Sequence, residues 1–398
     1  MIRRVYGSAV VAATLRGQTR VPYLDRPELE RRRDRNVRRI ARYAAKHVPF
    51  YRDLDASQIR TADDLVRWPV LDREEVRAHP ERFVADTRAA RDALAFTTSG
   101  TTGTPLQVRH DRRSVLRNFA YGERERAPVI AITGAGFRPS ELYVNYETSP
   151  MRLVTRFYVE NTLMPVKPRR RFVTITTPIE DVAKIMRAER PDVLTGYGGW
   201  VDLFFRTVAA RGLEIPKPKL VMYMAEALPE GARELIEDTF GIPVLSRYSA
   251  AESFKIGFVC EERRGFHLHE DLCHVRTDDD GRLLLSNLVN RATVLLNYPI
   301  GDVGAVTDEP CPCGRTFRLL SELEGRVEDI LTLADGRHVH PRRIWQVFKD
   351  DEDVLQYQLV QHGPARFELT LATLHDRAFD RARARVAPQL HTLLGPGA

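Results

Sequence analysis

Through 27–93, apolar residues such as Leu29, Val37 and Ile40 recur at helical spacing while charged residues fill the gaps. That period predicts amphipathic helices. Val48-Pro49 and Trp68-Pro69 interrupt them, because the residue before a proline is pushed out of helical backbone geometry. From 94 onward the period changes. Short β-rich runs at 95–98, 141–145, 172–177, 193–197, 220–224 and 244–248 alternate with helical stretches at 180–189, 200–211 and 230–240. Strands separated by helices predict parallel β-α units and an α/β fold. After Ser253 the pattern becomes strand and turn, with runs at 257–259, 267–276, 283–286 and 292–296 and turn chemistry such as Asp278-Asp279-Asp280-Gly281. A smaller β subdomain is expected there. The stretch 328–398 reads as a strand at 330–333, a turn at Asp335-Gly336, a helix from Pro341, strands at 356–361 and 366–372, and a helix at 379–394.

Composition narrows the class of protein. The 398 residues are 43% apolar, too many for a disordered chain and enough for two or more packed domains. Lys plus Arg total 61 against 54 acidic residues, a net charge of +7, and only seven of those cations are lysine. Acidic residues are interleaved with the arginines, so the densest basic run, Arg31 to Arg42, is read as a solvated helix face and no nucleic-acid partner is expected. Arg3 and Arg4 followed by an apolar run from Ser8 to Leu15 imitate an export signal, but Arg16 closes the run, and a cytoplasmic amphipathic helix is the better reading. No segment approaches the roughly 20 apolar residues of a membrane span. All four cysteines, Cys260, Cys273, Cys311 and Cys313, lie in one stretch. That spacing excludes a disulfide scaffold, points to a reducing compartment and makes metal binding worth testing.

The most informative chemistry lies at Thr97 to Pro105, TTSGTTGTP, directly after a short β run. Small hydroxylated residues alternate with glycines, so backbone N–H groups and hydroxyls can close around an anion. The spacing differs from the G-x-x-x-x-G-K-[ST] loop, and a Gly/Thr-rich segment can also be a plain turn.

This segment resembles the phosphate loop of the adenylate-forming superfamily, and further matches follow in that family's order. Met224-Ala225-Glu226 with Leu228-Pro229 is similar to its adenine-side segment, and Arg247 to Glu252 (RYSAAE) resembles its YGxTE motif. Leu296 to Gly304 (LNYPIGDVG) resembles the ribose-binding segment and Gly325 to Ile330 (GRVEDI) the hinge. With CPCGRT at Cys311 to Thr316, the cast is that of the phenylacetate–CoA ligase-like branch. The resemblance implies a large adenylate-forming domain over 1–327 and a small α+β lid over 328–398. It places Thr97, Thr98, Ser99, Gly100, Thr101, Thr102 and Gly103 around the nucleotide phosphates, with Thr98 and Glu252 as the catalytic pair. Ala225 and Glu226 would flank adenine and Tyr248 would stack on it. Glu252 would hold Mg²⁺, Asp302 the ribose hydroxyls and Arg326 the ribose or phosphate, with Glu328 at the hinge. The implied activity is ATP-dependent activation of a carboxylic acid, aryl or otherwise small, to an acyl-adenylate. The acyl group then passes to CoA, or alternatively to a carrier-protein thiol or an amine. A silent zinc-stabilised nucleotide binder is the rival from another class, and a homodimer stays open as the assembly.

The chain departs from the family pattern at several places. Thr104 stands where many relatives carry lysine, Ala251 replaces the threonine of YGxTE, and Ser249 replaces its glycine. No lysine follows Lys349, where relatives deliver one from the lid. The lid is therefore expected to be incomplete, either truncated before that lysine or lacking it.

Cys260, His267, Cys311 and Cys313 match a closed tetrahedral zinc site of three thiolates and one imidazole. His269 is the alternative fourth ligand, and Cys273 is assigned to the core. Thr195 to Trp200 (TGYGGW) is a candidate wall of the acyl pocket, with core packing as the rival reading of Trp200. His338 and His340 read as solvated strand residues.

Overall fold

A computed structural model describes residues 1–97, 105–136, 139–163, 169–326, 331–339, 341–348, 351, 353–373 and 375–395. The chain divides into two compact units. One comprises Met1–Arg138, Tyr146–Arg169 and Leu245–Leu323, and the other Pro139–Asn145, Arg170–Val244 and Glu324–Ala398.

The first unit begins with helix Ile2–Leu15 and the long helix Arg26–His47. Asp25 caps the latter by accepting from Glu28 N, and it stops at Val48, which is extended (φ −114°, ψ 121°) ahead of Pro49. Its buried face, Val37, Ile40, Ala41 and Ala44, packs with Tyr51, Trp68 and Phe83 in one core cluster. The segment 292–296 joins that core without forming a strand. Its polar backbone is paired elsewhere: Val294 O accepts from Tyr51 Oη (3.2 Å), Leu296 N donates to Tyr51 Oη (3.1 Å) and Val294 N donates to Phe83 O (2.9 Å). The expected strand is absent because the leading helical region supplies its partners.

The β part of this unit runs in the neighbour order Cys273–Thr277, Arg282–Asn287, Tyr298–Thr307, Leu319–Arg326, Phe266–Leu268, Gly257–Val259, Val244–Tyr248. The run expected at 267–276 is split in two, because Leu272 N and Cys273 N both donate to His269 O and turn the chain. The first expected strand also differs from its reading. Leu94–Thr97 pairs antiparallel with Gln107–His110 in a two-stranded sheet, outside any parallel unit.

The second unit carries the parallel units. Strands Leu220–Met224, Val193–Tyr197, Glu141–Asn145 and Arg170–Thr174 are neighbours in that order and parallel, with helices Ile179–Glu189 and Gly198–Arg211 between them in sequence. The helix at Glu230–Glu234 continues as a π-turn, Leu235–Thr239. At the C-terminal end, Pro341–Phe348, the hairpin Val354–Gly363/Arg366–Thr373 and Asp376–Leu394 enclose a cluster of their own that includes Ile344, Phe348, Val386 and Leu390.

The arginine run of 31–42 is not simply solvated. Arg32 Nε donates to Asp271 (2.6 Å), and Arg33, 7% exposed, lies 3.5 Å from Glu270. Asp271 also takes both terminal nitrogens of the fully buried Arg124, at 2.6 and 2.9 Å. Glu125 beside it meets Lys255 (2.7 Å), His269 (3.1 Å) and Arg247 (3.2 Å). Burial opposes ionisation of Asp271 and Glu125, but the facing cations outweigh it and hold both carboxyls well below the usual carboxylate range. A depressed folded-state pKa stabilises the fold above the unfolded value of about 4 and loses that contribution as pH falls toward the folded value. Urea midpoints are therefore expected to be level above about pH 5 and to fall steeply below about pH 4. Asp271→Asn should lower the midpoint at neutral pH and flatten the acid slope; an unchanged slope would remove Asp271 from the account.

Candidate functional site

In the first unit, strand Val244–Tyr248 ends where the chain loops back to Gly257–Val259, with Ile256 N donating to Tyr248 O (3.0 Å). Phe254 N donates to Ala250 O (2.6 Å), and Phe254 sits at φ 61° in the left-handed region. Two buried side chains hold the loop's carbonyls: His110 Nε2 contacts Ala251 O at 2.7 Å and Asn287 Nδ2 donates to Glu252 O at 2.8 Å. His110 also stacks on Phe254, with ring centroids 3.9 Å apart. Burial holds the His110 pKa down to about 4, so the ring is neutral and its Nε2–H serves as the donor to Ala251 O. Neither His110 nor Asn287 belongs to a motif, so sequence reasoning missed both.

The loop brings together two expected nucleotide residues. Tyr248 Oη donates to Asp302 Oδ2 at 2.5 Å across 54 positions of sequence. Tyr248 is 9% exposed, and burial, then the Asp302 and Glu252 charges, raise its phenol well above its usual pKa. The phenol is therefore a permanent donor that fixes one oxygen of the Asp302 carboxylate. Glu252, also 9% exposed, follows on the same loop.

The second unit holds the residues expected on the adenine side. Ala225 follows strand Leu220–Met224 at φ 65°, and Glu226 Oε2 accepts from Gly199 N at 3.1 Å. A Cβ at Gly198 would stand 2.2 Å from Ala227 O, so only glycine lets helix Gly198–Arg211 start this close to the Ala225–Ala227 turn. Trp200 stacks on Phe204 at 5.0 Å and is 6% exposed within the core, which decides for packing over a pocket wall. Thr97 ends its strand with an exposed side chain. Thr98, Ser99, Gly100, Thr101, Thr102, Gly103, Thr104, Glu328 and His340 lie outside the described residues, as does the side chain of Arg326. His338 is exposed on its short strand, as expected.

The cysteine cluster is assembled in the first unit. The ligating atoms of Cys260, His267, Cys311 and Cys313 all lie within 4.8 Å of one another. Cys260 Sγ is 3.7 Å from Cys311 Sγ, and Cys313 Sγ is 3.4 Å from His267 Nε2. Ligands held about 2.0–2.3 Å from a tetrahedral ion stand roughly 3.5–3.8 Å apart, so the donor spacing fits zinc. The cysteine turns are alike: Arg263 N donates to Cys260 O and Gly314 N to Cys311 O, both at 3.1 Å, with the donor residue at positive φ. His269 is engaged by Glu125 instead, and His267 is the imidazole that stands among the three cysteines. Burial holds His267 down to about 4, neutral and fit to ligate. Cys273 is buried in a separate apolar cluster, as expected.

No protein-family profile matches the chain. A phenylacetate-coenzyme A ligase of Thermus thermophilus is 26% identical over 370 residues, covering 86% of this chain and 80% of the relative. Among solved structures, a 2-hydroxyisobutyryl-CoA ligase in the postadenylation state with 2-HIB-AMP superposes with a TM-score of 0.71 at 18% identity, covering 94% of this chain and 86% of the other. An open conformation of a 2-hydroxyisobutyryl-CoA ligase with 2-HIB-AMP and CoA gives a TM-score of 0.63 at 18% identity, covering 95% and 94%. The chain is thus a homologue of a phenylacetate-CoA ligase and has the adenylate-forming ligase fold.

Proposed function

We propose that this protein uses ATP to convert a carboxylic acid, aryl or otherwise small, into an acyl-adenylate and transfers the acyl group to the thiol of coenzyme A. The observation that carries this reading is the 2.5 Å pair of Tyr248 and Asp302 beside Glu252, on the segments that resemble the family's nucleotide motifs. A carboxylate oxygen of the acid attacks the α-phosphorus, and the bond to pyrophosphate breaks. The CoA sulfur then attacks the acyl carbon, and AMP departs with the bonding electrons.

Several residues have tasks in this reaction. Asp302, held by the Tyr248 hydroxyl, accepts ribose hydroxyls, the Tyr248 ring stacks on adenine, and Ala225 and Glu226 serve as nucleotide-binding residues. Thr97 to Gly103 cradle phosphate, with Thr98 among the reacting groups, and Arg326 reaches ribose or phosphate. Glu252 supplies the hard oxygen ligand that Mg²⁺ requires. Bound there, the ion would neutralise charge on the phosphates. Cys260, His267, Cys311 and Cys313 hold a structural zinc. Residues 328–398, which contain their own apolar cluster, act as the lid over a domain of 1–327. The cysteines are free and no described helix is long and apolar enough to cross a membrane, which supports a cytoplasmic setting.

The test is pyrophosphate release from ATP with a panel of acids including phenylacetate, benzoate and 2-hydroxyisobutyrate, followed by CoA thioester formation. Acid-dependent release with at least one member is expected. ATP binding without turnover of any acid would overturn the enzyme reading.

A further inference from the structure

Helix Glu123–Thr133 sends one carboxylate to the loop that carries Tyr248 and Glu252. Glu125, 3% exposed, accepts from Lys255 Nζ at 2.7 Å and from His269 Nε2 at 3.1 Å, and its Oε2 faces Arg247 Nε at 3.2 Å. These three partners bracket the loop. Arg247 is the residue before Tyr248 on strand Val244–Tyr248, and Lys255 is the last residue before the backbone closes again through Ile256 N and Tyr248 O (3.0 Å). His269 adds a third tie, because its backbone N donates to Ile256 O at 2.8 Å. One carboxylate thus grips both ends of the loop and the chain turn beside it.

The grip is built on a fixed point. Arg124, next to Glu125, is fully buried and donates to both oxygens of Asp271, at 2.6 and 2.9 Å, and to Gln18 Oε1 at 2.8 Å. The start of the helix cannot shift without breaking that set. Within the loop, Phe254 at φ 61° takes a backbone geometry that persists only where surrounding contacts determine it. Burying a carboxylate with an ammonium and a guanidinium is an inefficient way to stabilise a fold, since apolar side chains of similar volume often do as well or better. What such a cluster adds is direction, because satisfied charges at both ends of a loop restrict where the side chains between them stand. We infer that Glu125 is a positioning residue: through Arg247 and Lys255 it sets where the Tyr248 ring and the Glu252 carboxylate stand. The inference rests on the proposed ATP-dependent reaction, which assigns Tyr248 to the nucleoside and Glu252 to Mg²⁺. It goes beyond that reading by giving a role to a residue outside every motif, 130 positions from Lys255 in sequence.

The test compares Glu125→Gln with the unaltered chain in titrations of Mg-ATP and adenosine, in steady-state kinetics and in urea unfolding. Glutamine keeps the shape and one acceptor oxygen but loses the charge that draws in both cations. The expected result is a KM for ATP raised about 10-fold, weaker binding of adenosine and a Mg²⁺ dependence displaced to higher concentration, with a smaller change in kcat. Glu125→Asp, which restores the charge at shorter reach, should recover part of the loss. Val37→Ala, a core truncation on helix Arg26–His47, controls for lost stability alone; its urea midpoint should fall with the KM for ATP unaltered. If the Glu125 variants do not fold, Lys255→Gln decides, a raised KM for ATP supporting the inference and an unchanged one overturning it. A lowered urea midpoint in Glu125→Gln with unchanged KM and Mg²⁺ dependence would make Glu125 a stabilising group only and overturn the inference, leaving the ligase reading intact. An equal rise of KM in Val37→Ala would trace the effect to stability and overturn it as well. Failure of the unaltered chain to bind Mg-ATP would remove both.

Discussion

Replacing Glu252 by glutamine is expected to lower acid-dependent pyrophosphate release by about 10²–10³-fold while leaving the fold intact. The backbone at this position is held independently of the side chain, because Asn287 Nδ2 donates to Glu252 O at 2.8 Å and His110 holds Ala251 O at 2.7 Å. The loop should keep its course when only the carboxylate charge is removed. An amide is a much poorer ligand for Mg²⁺, so the loss falls on the charge that the ion would neutralise during transfer at phosphorus. The measurement is pyrophosphate release against Mg²⁺ concentration. A displaced Mg²⁺ dependence with an unaltered thermal midpoint supports the assignment, whereas a rate within a factor of about 2 of the parent would remove Glu252 from the metal role.

The contrast between Glu252 and Arg124 explains what was legible in the sequence. Glu252 stands in RYSAAE, a short contiguous motif, and local order along the chain singles it out as a candidate. Arg124 meets Asp271 across 147 positions, and nothing in either neighbourhood marks the pair. The same distinction applies to secondary structure. Strands Glu141–Asn145, Val193–Tyr197 and Leu220–Met224 are buried along most of their length, so continuous apolar runs bounded by helices revealed them. Tyr298–Thr307 carries Pro299, Gly301 and Gly304, and Leu319–Arg326 (LLSELEGR) has helical composition. Both are strands through tertiary pairing that overrides propensity. The members of the Cys/His cluster were legible by type. The choice of His267 over His269 needed the position of Glu125, 144 residues from His269 in sequence.

Removing the metal from the cysteine cluster is expected to destabilise the first unit and, through it, the nucleotide segment. Three thiols and an imidazole converge within 4.8 Å, a donor set and spacing that suit one tetrahedral divalent ion. Loss of a structural metal belongs to the small class of changes costing about 4 kcal/mol or more. At roughly 2–4 °C per kcal/mol for a unit of this size, Cys311→Ser should lower the thermal midpoint by about 10 °C. The effect should reach the proposed site along the strand pairing. His267 pairs with Phe258, Phe258 pairs with Arg247, and Arg247 precedes Tyr248, whose hydroxyl holds Asp302. Loosening this ladder should raise the KM for ATP more than it lowers kcat, because the groups displaced are those proposed to bind the nucleoside. Cys273→Ser is the matched control, since Cys273 packs among apolar side chains away from the donor set, and it should leave metal content unchanged. Elemental analysis of the purified protein should find about one zinc per chain, lost in Cys311→Ser and retained in Cys273→Ser. Equal zinc content in all three proteins would detach the cluster from any metal.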